Sequence, residues 1–210
     1  MLSRTDNQSS LRLRGKAQRD SMSTVTKSKI QWNYFIALED DLVKVARYIE
    51  FHEDNLNVFS IELAHLLLSA ASEVDVMAKC VCGQVAPKSK PVNINDYRVI
   101  LMKAGQKEIP NVATVKVLVR RYGMNFTPWK NWANDKNPDW WTGYNEVKHQ
   151  RDRHFDKATL RHAIDAVAAL LILNYIYYLN IFKEDAPGLA SCAPSSVLNG
   201  LSPLPSLMTL

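Results

Sequence analysis

Cysteine is scarce in this chain, with three residues in 210. So few cysteines cannot build a paired disulfide framework, and a chain of this length can bury a full core without one. The disulfide-rich secreted class is therefore excluded, and a reducing, cytoplasmic setting is predicted. The pair Cys80-x-Cys82 also lacks the further ligands of a zinc site, because the remaining cysteine, Cys192, lies in the C-terminal tail.

Several catalytic signatures are missing as well. The sequence contains no Gly-rich phosphate-binding loop, no Gly-x-Ser-x-Gly and no His-Glu-x-x-His. The sequence therefore lacks the signatures by which the common nucleotide-hydrolysing enzymes, esterases and metalloproteases are recognised. The sequence therefore predicts neither a cofactor nor a resident metal ion.

Excess charge is confined to the N-terminus. The net charge is +5, but residues 1–30 hold seven of the 26 basic and two of the 21 acidic residues. The other 180 residues therefore carry 19 of each sign. The sequence pI of about 9.1 thus describes the N-terminal segment, and charge alone is weak evidence for binding of a polyanion.

The length and a hydrophobic content of 47% predict a single globular domain over 29–184. Residues 1–28 are polar and basic, which predicts a disordered leader. Their Arg- and Ser-rich composition also resembles that of an organellar transit peptide. A further alternative is that translation begins at Met22, so that residues 1–21 are not part of the protein. The segment 185–210 predicts a disordered tail, since it is uncharged from Ala186 onward and holds four prolines.

Apolar periodicity predicts an all-α helical bundle. The predicted helices run from Leu38 to Ile49, from Asn57 or Ser60 to Gly83, over 96–104, from near Trp140, and over 158–182. Residues 111–122 remain ambiguous, because their β-branched alternation favours a strand that has no evident partner. A Pro- and Trp-rich connector, 123–139, precedes the last two helices.

The last helix contains an apolar run, 166–182, close to the ~17-residue minimum of a transmembrane helix. Asn174 and Asn180 lie inside it, Asp165 lies at its edge, and no strongly basic segment flanks it. A central helix that neighbours cover is apolar on all sides for the same reason. We therefore predict a buried core helix without membrane contact, with a membrane span as the alternative.

Aromatic residues concentrate in the connector and the helix after it. Trp129, Trp132, Trp140 and Trp141 lie within thirteen residues, and Tyr144 follows. Two interpretations are open. The rings cap one end of the bundle, or they form a platform on which bases or another flat ligand stack.

A polar cluster follows these rings. On one continuous helix Asn145, Lys148 and His149 share a face, Asp152 continues that face, and Arg151 lies to the side. A neutral histidine beside cations is suited to proton transfer next to a phosphate group. The competing interpretation is a solvated polar helix face.

The run YNEVKHQR, followed by a long apolar helix, resembles the HEPN superfamily of α-helical nucleotide-binding domains. Asn145 and His149 match the Asn and His of the family motif, and Tyr144 stands where the family has an arginine. The resemblance implies an often dimeric, bacterial-type protein of defence, toxin or RNA-handling systems that binds RNA or a nucleotide. Many members cleave RNA without metal.

The resemblance also implies roles for individual residues. His149 would act as general base on a ribose 2′-hydroxyl, and Asn145 would orient the histidine or the phosphate. Lys148 and Arg151 would bind the scissile phosphate, and the aromatic rings would stack flanking bases.

The rival from another class is a non-catalytic interaction module that dimerises and holds a partner through the connector. An enzyme needs an open pocket that contains His149 and a cation. An interaction module would instead show a flat aromatic patch, or buried rings with His149 paired internally.

A metal-binding bundle is a minor alternative. Glu62-x-x-His65 and Glu146-x-x-His149 have the spacing with which di-iron bundles present their ligands. Such a site needs further carboxylates, for which Glu39 and Asp165 are candidates.

Overall fold

The computed structural model describes residues 29–185 and 208–209. The predicted leader and nearly all of the predicted tail lie outside the described residues. The described residues from Gln31 onward belong to one compact unit. The predicted helical fold is confirmed; the helices are α1 (Ile30–Val45), α2 (Ile61–Val85), α3 (Ile94–Ala104), α4 (Asp139–His149), α5 (Arg151–His154) and α6 (Leu160–Asp185).

Helix α1 begins eight residues before the predicted start at Leu38. Its buried face includes Trp32, Phe35, Leu38 and Leu42, which follow one another at spacings of three or four. The aromatic residues of the first two turns therefore extend the apolar stripe toward the N-terminus. The helix ends at Val45, and residues 46–49 continue as turns rather than as helix.

Side-chain caps set the start of the next two helices. The Ser60 hydroxyl accepts a hydrogen bond from the Leu63 N–H at 3.2 Å, which makes Ser60 the cap of α2. Asn93 and Asp96 form a reciprocal capping box at α3. Helix α2 passes through Gly83 to Val85, so its predicted end was two residues short.

The ambiguous segment 111–122 contains a strand, and the strand has partners. β1 (Val117–Val119) pairs antiparallel with β2 (Met124–Phe126) on one side and with β3 (Met208–Thr209) on the other. One partner lies in the predicted connector and the other lies inside the predicted disordered tail. A small antiparallel sheet thus accompanies the helices.

The core forms between α2 and α6, which run in the same direction. Phe59 and Thr159 form a β-bridge where both helices begin, and Gln84 donates to the Tyr177 carbonyl near their far ends. Every residue from Ala166 to Leu173 is at most 1% exposed. Neighbours therefore cover α6 on all sides, which explains its uniform apolarity.

The segment Leu160–Ile181 of α6 is long and apolar enough to cross a membrane, with a mean hydropathy of 1.6. In this structure 72% of that stretch is buried inside the protein. Asn174 lies fully buried in the helix, and its side-chain N–H donates to the Leu170 carbonyl at 3.1 Å. The packing agrees with the core-helix interpretation.

Candidate functional site

Helix α4 carries most of the predicted site and ends at His149. Gln150 follows with φ −141° and ψ 50°, outside the helical region, and α5 begins at Arg151. The prediction of one continuous helical face through Asp152 was therefore wrong, since the break interrupts the 3.6-residue periodicity. Arg151 belongs to a separate four-residue helix.

The polar residues of α4 contact partners on their own helix. The Asn145 side-chain N–H donates to the Trp141 carbonyl at 2.9 Å. Lys148 Nζ donates to the Tyr144 hydroxyl at 3.1 Å and lies 5.2 Å from the centroid of that ring. Tyr144, which occupies the arginine position of the motif, is buried. The structure thus brings Lys148 to Tyr144, whereas Asn145 turns back toward the start of the helix.

All residues from 148 to 153 are exposed around the break between α4 and α5, and they include the basic side chains Lys148, His149 and Arg151. The neighbouring cations Arg153 and Lys157 each pair with the aspartate that precedes them, at 3.7 and 3.0 Å. Among the side chains described between residues 29 and 181, no carboxylate lies within salt-bridge distance of Lys148 or Arg151. We call Lys148, His149 and Arg151 the basic patch.

The aromatic rings predicted to stack ligands belong to the core. Trp129, Trp132, Trp140, Trp141 and Tyr144 are each at most 9% exposed. Their ring centroids lie 4.2–5.6 Å apart along a chain of tilted and edge-to-face contacts. Because each ring is covered, the predicted stacking platform does not exist in this structure, and the rings cap the end of the bundle instead.

This arrangement separates the two competing interpretations only in part. The rings are buried, which matches one half of the second form of the interaction-module alternative, but His149 is exposed and not paired internally within the described chain. The groove between α1 and α2 and the cavity beside the start of α4 are both lined by other residues. His149 therefore lies on an open surface.

A cavity of about 200 Å³ lies where the start of α4 meets the connector and α6. Asp139 is the first residue of α4, and its carboxylate accepts a hydrogen bond from the Asn131 side-chain N–H at 3.0 Å. The Trp140 indole N–H donates to the Pro128 carbonyl at 2.9 Å and fixes the adjoining connector. The charged and titratable residues of this lining are Lys130, Asp139, Arg161, His162 and Asp165.

Asp165 is the most perturbed acid of the cavity. Burial raises the pKa of its carboxyl to about 7, against the lowering effects of Arg161 and Lys130 and with a smaller rise from Asp139. Near neutral pH this carboxyl therefore gains or loses its proton readily. A half-buried acid whose pKa is shifted into this range inside a cleft is typical of a binding or catalytic site.

His162 lies one helical turn before Asp165. Its Nδ1 atom is 2.8 Å from the Lys157 carbonyl oxygen, and because a carbonyl only accepts, Nδ1 carries the proton and Nε2 of the neutral ring accepts. Burial lowers the pKa of His162, which favours that neutral ring. A Cβ at Gly143 would lie 2.5 Å from Nδ1. Glycine thus lets α4 approach the ring and hold it beside the cavity.

The sequence interpretation used Asp165 only as a flank of the apolar run and as a metal-ligand candidate. It missed Asp139 and His162. The pair His162 and Asp165 had a usable signal, since polar residues at i and i+3 interrupt the start of a nearly apolar helix. Asp139 had none, because only tertiary contact brings it to α6.

The ligand set of the metal alternative is not assembled. Glu62 and His65 line a groove of about 820 Å³ between α1 and α2, whereas Glu146 and His149 lie on α4. Glu39 is buried on α1, and Asp165 on α6 lines the smaller cavity of about 200 Å³. Within the described residues, no group of three or more His, Cys, Asp or Glu side chains is placed to hold a metal ion.

Cys80 and Cys82 lie on α2 as free thiols. Burial raises the pKa of Cys82 to about 12, with a further rise from Asp96, so this thiol stays protonated. Both residues therefore act as ordinary helix residues rather than as reactive groups.

Comparison of the chain with family models, with curated proteins and with solved structures finds no match. The HEPN resemblance therefore rests on the helical fold and on two motif positions, Asn145 and His149.

Proposed function

We propose that this protein is a HEPN-like RNA-binding protein that contacts the phosphate backbone through the basic patch. The observation that carries the proposal is the exposure of Lys148 and Arg151 without a carboxylate partner in the described chain. Exposed lysine and arginine side chains that are not held in an ion pair can replace the counterions of phosphate groups.

The position of the patch supports this proposal. Lys148 and His149 occupy the last turn of α4, where the negative end of the helix dipole stabilises positive charge. The break at Gln150 then places Arg151 in a new helix. The cations therefore project from two short helices around one bend, a surface suited to a curved single strand rather than to a flat protein partner.

Two contacts favour binding over cleavage. The Asn145 amide is engaged by the Trp141 carbonyl rather than directed at a histidine or a phosphate. Tyr144 fills the arginine position, and its hydroxyl takes up a hydrogen bond from Lys148. The arrangement that metal-independent cleavage requires, a general base backed by an orienting amide and an arginine, is thus incomplete around His149.

The wider setting belongs to the same proposal. We place the protein in the cytoplasm, without membrane contact, in a defence, toxin or RNA-handling role, and as a homodimer. The buried tryptophans then stabilise the end of the bundle that carries the patch.

Fluorescence anisotropy with a labelled single-stranded RNA tests the proposal on the full chain. We expect the double variant Lys148→Ala/Arg151→Ala to bind roughly tenfold more weakly than wild type, because two phosphate contacts are lost. The matched control is Lys103→Ala/Lys107→Ala, which removes the same charge from exposed positions at and just after the end of α3. Every variant keeps the basic N-terminal segment, so its contribution cancels.

Equal weakening by both double variants would show that only net charge matters and would contradict the proposal. The same samples, run on a gel after incubation with a metal chelator, report whether the RNA is intact. If wild type cleaves the RNA and His149→Ala does not, the protein is an RNase that uses His149, and the proposal of binding without cleavage is wrong.

A further inference from the structure

The cavity between α4, the connector and α6 presents two kinds of polar group. Asp139 and Asp165 supply carboxylate oxygens, which only accept hydrogen bonds when ionised. Lys130 and Arg161 supply donors that never accept. A ligand that fits both must carry neighbouring donors on one edge and acceptors on another.

The basic patch and this cavity lie at different angles around α4. Gly143 of α4 abuts His162, a cavity residue, and Lys148 follows Gly143 by five residues, which is about 7.5 Å along the helix and about 140° around its axis. The His162 ring is in turn bonded to the carbonyl of Lys157, which follows α5. An RNA strand held at the patch would therefore have to extend around this end of α4 to place a base in the cavity.

We propose that the cavity binds an unstacked guanine base, an inference that rests on the proposed RNA binding and adds base specificity to it. The adjacent N1–H and N2–H donors of guanine match the two oxygens of one carboxylate. The O6 and N7 acceptors match arginine or lysine donors. Single-stranded RNA is commonly read in this way, on the exposed edges of splayed bases.

The other bases match this lining less well. On their pairing edges adenine and cytosine alternate a donor amino group with a ring-nitrogen acceptor, and uracil places one donor between two carbonyl acceptors. Each would direct an acceptor at a carboxylate oxygen. A buried acceptor that faces another acceptor loses its hydrogen bond, which costs about 1–3 kcal/mol.

The size of the cavity is also selective. Its volume of about 200 Å³ is below the range of roughly 300–1,000 Å³ that holds drug-sized ligands. Phe126 and Trp140, both at most 2% exposed, form apolar parts of its lining. A single base suits this space, with its sugar and phosphate left outside the cavity.

Isothermal titration of the full-length protein with the four nucleoside 5′-monophosphates tests the inference. We expect GMP to bind at least about tenfold more tightly than AMP, CMP or UMP, which share its phosphate. Asp165→Asn should abolish this preference, because an amide cannot accept two hydrogen bonds from one base edge. Asp139→Asn, at an exposed position, should also weaken GMP binding, and it tests the inference even if Asp165→Asn fails to fold.

The control Asp156→Asn removes an exposed carboxylate outside the cavity and should leave the preference unchanged. Equal affinity for all four nucleotides, no binding of any, or a GMP preference that survives Asp165→Asn would each overturn the guanine site. RNA binding by the patch is measured separately, because Lys148→Ala/Arg151→Ala should lose RNA affinity while it keeps the GMP preference.

Discussion

The carboxyl of Asp165 shows how burial changes the chemistry of a single residue. It lies on α6, which is long and largely apolar, and burial there raises its pKa to about 7. An unfolded aspartate titrates near 3.9. Between these values the folded protein holds a proton that the unfolded chain has released, so the free energy of unfolding falls as the pH rises through this window.

Asp165→Asn should remove that pH dependence. From about pH 5 to about pH 8, we expect wild type to lose about 2 kcal/mol of stability relative to the variant, less than the ~4 kcal/mol of a complete shift. Urea unfolding at several pH values, followed by tryptophan fluorescence, measures this difference. Asparagine keeps the shape of the side chain and does not titrate.

Asp156→Asn is the control for this experiment. Lys157 lowers the pKa of the exposed Asp156, so its contribution has the opposite sign and lies at lower pH. If the free energy of unfolding changed with pH by the same amount in wild type and in Asp165→Asn, a raised pKa at Asp165 would be contradicted.

At the scale of elements, local signals predicted most helices. Ser60 was a candidate cap and is the cap, and the helices α2, α3 and α6 were each predicted close to their observed bounds. The break at Gln150 was not, because neither glycine nor proline marks it. The partners of β1 lie outside its own neighbourhood in the sequence, so pattern alone could not supply them.

The cap at Ser60 gives an element-scale prediction. Ser60→Ala should lower the free energy of unfolding by about 1 kcal/mol, because the Leu63 N–H loses its acceptor. Thermal or urea unfolding followed by circular dichroism measures the loss.

Ser69→Ala on the same helix is the matched control. Ser69 lies in the helix interior and has no hydrogen bond to another described residue, so alanine should be neutral or slightly stabilising there. Equal losses at both positions would mean that the cap contributes nothing specific.

At the scale of the whole molecule, folding determines which charged side chains are paired and which aromatic rings are buried. Residues 31–210 carry equal numbers of acidic and basic residues, yet the structure leaves Lys148 and Arg151 unpaired within its described part. Composition could not reveal this local imbalance, because it depends on which acids fold beside which bases. Likewise the tryptophans were visible in the sequence, while their burial depends on packing.

The salt dependence of RNA binding tests the central claim most directly. If the patch holds the backbone, the plot of log affinity against log salt concentration should be shallower for Lys148→Ala/Arg151→Ala by about 1.4, or about 0.7 for each lost phosphate contact to a single strand. The Lys103→Ala/Lys107→Ala control should keep the wild-type slope. An unchanged slope in the patch variant would contradict the claim that Lys148 and Arg151 bind RNA phosphates.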